Sequence, residues 1–125
     1  MKVLALDYGA ARTGVAVSDA TGTVARPLAI VERAAAEKGL ERVAELIRAE
    51  APERVVVGLP LTLRGEHGAQ ARETERFVER LRALVDVPVE LYDERFTSVL
   101  ADGDDARAAA HLLSSYLQWI RGPQH

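Results

Sequence analysis

The order of residue periodicities constrains this chain most: three strand-type segments come first with no helix between them, and helical and strand-type segments then alternate. Met1 to Asp7 is an apolar run that ends on an acid, the pattern of a buried strand. Thr13 to Ser18 alternates Val15 and Val17 against small or polar neighbours, and Gly9 and Gly14 bracket the short connection, which predicts a hairpin. Thr23 to Val31 reads as a third strand, and Pro27 within it demands a sheet edge or a bulge. From Ala34 to Ala51, Leu40, Val43, Ala44, Leu46 and Ile47 recur at helical spacing until Pro52 closes the segment. The β-branched run Val55 to Val57 predicts a short strand covered on both faces. Gly58, Pro60, Gly65 and Gly68 mark a loop. A helix over about Ala69 to Val85 follows, with Phe77, Val78, Leu81, Leu84 and Val85 on one face and Arg72, Arg76 and Arg80 on another. Pro88 to Tyr92 is a fifth strand leading into Asp93 and Glu94, and Ala106 to Ile120 is a closing helix.

The order β-β-β-α-β-α-β-α predicts an α/β fold: a mixed five-stranded sheet, made of a three-strand antiparallel meander plus two crossover units, with helices on its faces. A ribonuclease H-like fold requires this order, and other folds can use it. At 125 residues, 48% of them apolar, the expectation is one domain over residues 1–125 with a single core. No run approaches the roughly 18 apolar residues of a membrane span, so a soluble cytoplasmic protein without membrane contact is expected. The absence of cysteine excludes a disulfide scaffold and a thiolate metal site, so any metal must be held by oxygen or histidine. The net charge of −3 argues against holding nucleic acid by bulk electrostatics. Fourteen of the 16 basic residues are arginine, which suits forked phosphate contacts but also follows from a biased genome.

The sharpest chemical feature is the placement of acids. Asp7 closes the first strand, Asp93-Glu94 closes the fifth, and Asp104-Asp105 opens the last helix. If strands one and five flank strand four in parallel, their ends emerge at one sheet edge. Carboxylates converging there repel, and a divalent cation relieves the conflict; hard oxygen ligands select Mg²⁺ or Mn²⁺. Each acid also has a plainer reading. Asp104 or Asp105 suits a helix N-cap, Glu94 can pair with Arg95, and the run from Asp102 to Asp105 can be a solvated turn. His67, His111 and His125 lack metal-ligand spacing, and the serines lack a nucleophile elbow. No P-loop is present. Asp7-Tyr8-Gly9 with Thr13-Gly14 echoes the phosphate hairpin of the actin and sugar-kinase class, which needs a second domain that this chain has no room for.

Leu6-Asp7-Tyr8-Gly9 with the run Arg12 to Asp19, then Val57-Gly58-Leu59-Pro60-Leu61 with Gly65, then Tyr92-Asp93-Glu94-Arg95-Phe96-Thr97, resembles the YqgF family of Holliday-junction-resolvase-like proteins, also called pre-16S rRNA nucleases. Asp105, Ala108, Ala109, Leu113, Tyr116 and Leu117 match the family's final helix. The resemblance implies a ribonuclease H-like fold and a divalent-metal-dependent nuclease that hydrolyses RNA phosphodiester bonds in 5′-end maturation of the ribosomal RNA precursor. Carried over by residue, it places catalytic metal ligands at Asp7, Glu94 and Asp105, binding Mg²⁺ or Mn²⁺. It puts Arg12, Arg95 and Thr97 on the substrate side, with the loop Leu59 to Gly68 beside the scissile strand. One departure stands out. Family members carry a longer, basic segment between the Asp-Glu-Arg motif and the last Asp, whereas here only Arg95 to Asp104 intervene, with one arginine and two acids. Asp102 and Asp104 are then alternatives to Asp105. A branched-DNA resolvase, which needs a dimer to cut two strands symmetrically, and a nucleic-acid-binding module without activity are the competing readings, and the sequence leaves monomer and homodimer open.

Overall fold

A computed structural model describes residues 1–60, 65, 67–93 and 106–122. Five strands, β1 (Val3–Asp7), β2 (Arg12–Ser18), β3 (Ala25–Glu32), β4 (Arg54–Leu59) and β5 (Val89–Asp93), form one sheet in the order β3-β2-β1-β4-β5. The pairs β1–β2 and β2–β3 are antiparallel, while β1–β4 and β4–β5 are parallel, which is the predicted meander plus crossovers. Central strands must be apolar on both faces. Accordingly Val3 to Leu6 and Val55 to Val57 are wholly buried. Pro27 lies in edge strand β3 and also beside a bulge: Val15 pairs with Ala29 but Ala16 with Pro27, so Leu28 is the extra residue. Both options that the proline left open are therefore used together.

Helices α1 (Glu37–Glu50) and α2 (Ala69–Arg82) cover one face of the sheet, and α3 (Ala106–Arg121) covers the other. Leu4, Leu6, Val15, Val55 and Val57 pack toward α1 and α2, against Val43, Ile47, Phe77 and Leu81. Val3, Ala5, Ala16 and Val56 pack toward α3, against Ala109, Leu112, Leu113 and Tyr116. Small sheet residues on this side admit a helix at close range, whereas the larger aliphatics of the other side support two helices.

Helix α1 starts three residues later than its periodicity suggests. Ala34 to Ala36 form the approach, and Arg33 takes a left-handed backbone with φ 47°. Gly39 explains why the helix can begin there, because a Cβ on it would lie 2.0 Å from the Arg33 carbonyl oxygen. Ala51, also left-handed, ends α1 directly before Pro52. Helix α2 stops at Arg82, short of the predicted Val85, so Leu84 lies past the helix and is 40% exposed instead of joining the apolar face.

Candidate active site at the carboxyl edge of the sheet

In a parallel arrangement the strand ends gather at one edge. Leu6 pairs with Val57, Gly58 with Tyr92 and Leu59 with Asp93, so β1, β4 and β5 finish within a residue or two of each other. Asp7 is the last residue of β1 and is half-buried, and Asp93 is the last of β5. Side chains alternate across a strand. Asp7 therefore shares the α3 side with Val3 and Ala5, whereas Asp93 shares the α1–α2 side with Val89 and Leu91. The two acids face opposite sides of the sheet. Tyr92 packs on the α3 side, as Asp7's parity requires.

Helix α3 brings its start to the same edge. Its Tyr116 hydroxyl accepts a hydrogen bond from Arg54 Nη1 at 2.7 Å, and Arg54 opens β4 opposite Val3 at the far end of the strands. A helix of 16 residues runs about 24 Å, longer than the roughly 17 Å of the five-residue strand β1. Ala106, the first described residue of α3, then lies toward the end where Asp7 sits, and it is buried.

The connection from β1 to β2 is tight. A Cβ on Gly9 would lie 2.4 Å from the Arg12 carbonyl oxygen, and the buried Thr13 hydroxyl lies 3.4 Å from both the amide and the carbonyl of Gly9. Arg33 donates its backbone N–H to the Ala11 carbonyl at 2.9 Å, fastening the end of β3 to this hairpin. Arg12 opens β2 at the same edge, exposed and opposite Glu32. Of the six residues assigned a site role from sequence, Asp7 and Arg12 are thus brought to one edge. Glu94, Arg95, Thr97 and Asp105 lie outside the described residues, as do Asp102 and Asp104. Among the described residues no three acids or histidines cluster closely enough to hold a metal ion.

One element of the edge had no role in the sequence reading. Tyr8, directly after Asp7, stacks on Phe77 of α2 with ring centroids 4.6 Å apart, and its hydroxyl donates to Glu73 at 2.9 Å. Burial, followed by the Glu73 carboxylate, pushes the phenol up to about 12, with Arg80 and Arg76 acting in the opposite sense. Tyr8 is visible in the motif. Its partner lies 65 residues away, and no local signal marks it.

The strand order, the parallel acid edge and the helices on both faces define a ribonuclease H-like protein. Thermus thermophilus RuvC, solved in complex with a Holliday junction substrate, has this fold: a TM-score of 0.62 over 98% of this chain and 97% of that one, at 19% identity. The family model named RuvX, described as Holliday junction resolvase, matches residues 1–119, and this chain belongs to that family. A Chloroflexus aggregans protein named "Putative pre-16S rRNA nuclease" is 47% identical over 136 aligned positions, covering 97% of this chain and 96% of the relative. A Chloroflexus aurantiacus protein of the same name is 45% identical over 100 positions, covering 80% of this chain and 65% of the relative. The first match exceeds the 125 residues of this chain, so that relative carries insertions within it. A shortened chain was the departure noted in the sequence.

Proposed function

We propose that this protein is a divalent-metal-dependent nuclease that hydrolyses RNA phosphodiester bonds in maturation of the 5′ end of pre-16S rRNA. The observation that carries the reading is the strand-end acid Asp7 at an edge where β1, β4 and β5 finish together and toward which α3 begins. Family membership and the names of the relatives support the chemistry and the substrate.

Asp7, Glu94 and Asp105 are proposed to hold Mg²⁺ or Mn²⁺. The donor chemistry fits, since the chain offers carboxylates and no thiolate. Glu94 is preferred to Asp93 because Asp93 shares the α1–α2 side with Val89 and Leu91, opposite to Asp7. Asp105 immediately precedes Ala106, whose position favours the same edge. When bound, the divalent ion supplies charge that activates a water nucleophile and stabilises the departing oxygen. The chain's own groups then orient the substrate. In this reading Arg12 and Arg95 take phosphate oxygens in forked contacts, Thr97 contributes a hydroxyl to the substrate, and the tight Gly9–Thr13 hairpin holds the end of β1 that carries Asp7. We place the protein in the cytoplasm, acting as one domain, as a monomer or homodimer. No described helix is long and apolar enough to cross a membrane.

The family description favours a second reading, cleavage of branched DNA. One experiment addresses both. The full chain is given a single-stranded precursor-like RNA and a four-way DNA junction in Mg²⁺ or Mn²⁺, and Asp7→Asn is run beside it. The RNA is cut, and Asp7→Asn lowers the rate by at least about 100-fold with an unchanged melting temperature. Selective cutting of the junction would establish the resolvase reading instead. Metal raises the melting temperature of the native chain and not that of Asp7→Asn; unchanged cleavage by a folded Asp7→Asn would sink the assignment.

A further inference from the structure

Exposed Arg72, Arg76 and Arg80 stand on α2 at four-residue intervals, each about 6 Å from the next along the helix axis. Three glutamates share this helix and would ordinarily cancel such a row. Here none of the three pairs with Arg72, Arg76 or Arg80 among the described residues. Glu73 accepts the Tyr8 hydroxyl at 2.9 Å, Glu75 lies 3.8 Å from His67 Nε2, and Glu79 pairs with Arg82 at 2.6 Å. Glu73 and Glu79 lie three residues to either side of Arg76, the spacing at which an ion pair forms on a helix, and neither makes one with it. Among the described residues Arg72 and Arg76 have no carboxylate partner, and Arg80 spends one donor on the Ala35 carbonyl at 2.5 Å.

The row is tied to the acid edge. Tyr8 stacks on Phe77 and bonds Glu73, which sets residues 73 to 77 of α2 against the residue that follows Asp7. The Arg80 contact with Ala35 reaches the segment after Arg33, whose amide is fastened to Ala11 of the β1–β2 hairpin. A phosphodiester backbone that passes from Asp7 over the end of β1 at Tyr8 to the α2 face therefore meets guanidinium groups at a spacing comparable with that of neighbouring phosphates on an extended strand.

We infer that Arg72, Arg76 and Arg80 form a track that grips the phosphates of single-stranded RNA next to the cleavage edge. The inference rests on the nuclease reading above and gives its substrate a path. It also accounts for binding by a chain of net charge −3 whose Arg95 to Asp104 segment holds only one arginine. The positive charge is concentrated in one row instead of spread over the surface.

The test uses fluorescence anisotropy of a labelled single-stranded RNA with the full chain carrying Asp7→Asn to prevent cutting, in Mg²⁺ and over a range of salt. In this background Arg72→Gln/Arg76→Gln weakens binding by about 10-fold and lowers the slope of log K against log salt by about 1.4, at about 0.7 per phosphate contact on a single strand. Arg72→Lys/Arg76→Lys keeps most of the slope, because charge is retained. Arg121→Gln, at the far end of α3, leaves both quantities unchanged. If the Gln pair binds with native affinity and slope, or if the Lys pair loses as much slope as the Gln pair, the track is wrong. Should the native chain cut RNA while the Gln pair in the Asp7→Asn background still binds normally, only the track falls. A native chain that neither binds nor cuts RNA would overturn the nuclease reading as well.

Discussion

The two ends of the parallel strands handle their charges in opposite ways. At the amino end, Arg54, Tyr116 and Glu90 are bonded together, with Arg54 Nη1 donating to the phenol oxygen, the phenol donating to Glu90, and Arg54 Nη1 also 3.4 Å from Glu90. Nearby, Asp19 accepts from the Thr21 hydroxyl and from the amides of Thr23 and Val24, closing the β2–β3 turn. These groups satisfy one another and hold the fold. At the carboxyl end, Asp7 and a row of arginines collect on either side of Tyr8, and the helix's own glutamates are drawn away from Arg72 and Arg76. Polar groups that pair among themselves stabilise the fold, whereas a row of like charges without partners on the protein is suited to a ligand of opposite charge. On the proposed function, the difference separates polarity that holds the fold from polarity that meets a substrate.

That contrast can be broken most severely at Phe77, which is buried and carries the Tyr8 ring at the functional end. Phe77→Ala lowers stability by about 3–5 kcal/mol, read by urea unfolding, and releases Tyr8 from its stack. Tyr8→Phe keeps the ring and serves as the milder control. A loss below about 1 kcal/mol for Phe77→Ala would mean that α2 is not anchored where the acid edge needs it.

At the structural end the effect is smaller. Tyr116→Phe removes the hydroxyl shared by Arg54 and Glu90 and costs about 1 kcal/mol, since both charged partners are about one-third or more exposed and water replaces part of the bond. RNA cleavage should be unaffected. A fall in the cleavage rate with intact stability would erase the proposed division between the ends.

The smallest effect is the pH response of Asp19. Hydrogen bonds from Thr21, Thr23 and Val24 hold its carboxyl down to about 2. A depressed carboxylate contributes stability above its unfolded value near 3.9, and the contribution disappears as pH falls through about 2. The melting-temperature gap between the native chain and Asp19→Asn is therefore fully open at pH 6 and closes between about pH 4 and 2. A gap independent of pH over that window would contradict the turn's hydrogen bonding.

Much of the architecture is legible in local residue patterns. Val3 to Leu6 and Val55 to Val57 are apolar throughout because a central strand buries both faces, so even short runs declare themselves. Pro27 pointed to an edge or a bulge for the same reason that it occupies both: it cannot donate to a ladder. The misplaced boundaries have equally local causes. Residues 34 to 36 carry a helical composition, yet the Arg33 turn and the contact at Gly39 delay α1. Leu84 has the right period but lies beyond the last turn of α2.

The site divides along the same line. The sequence by itself determined that an acid ends the first strand, that further acids follow the fifth strand and precede the last helix, and that arginines recur every fourth residue on the second, because these are one-dimensional spacings. Only the tertiary structure decided that Asp7 and Asp93 face opposite sides of the sheet, which follows from pairing register and the pleat. It alone decided that Glu73 turns to Tyr8 and that, among the described residues, Arg76 has no carboxylate partner, since the Tyr8–Glu73 bond joins residues 65 positions apart. Charge cancellation is a matter of distance in space, and spacing along a chain does not contain it.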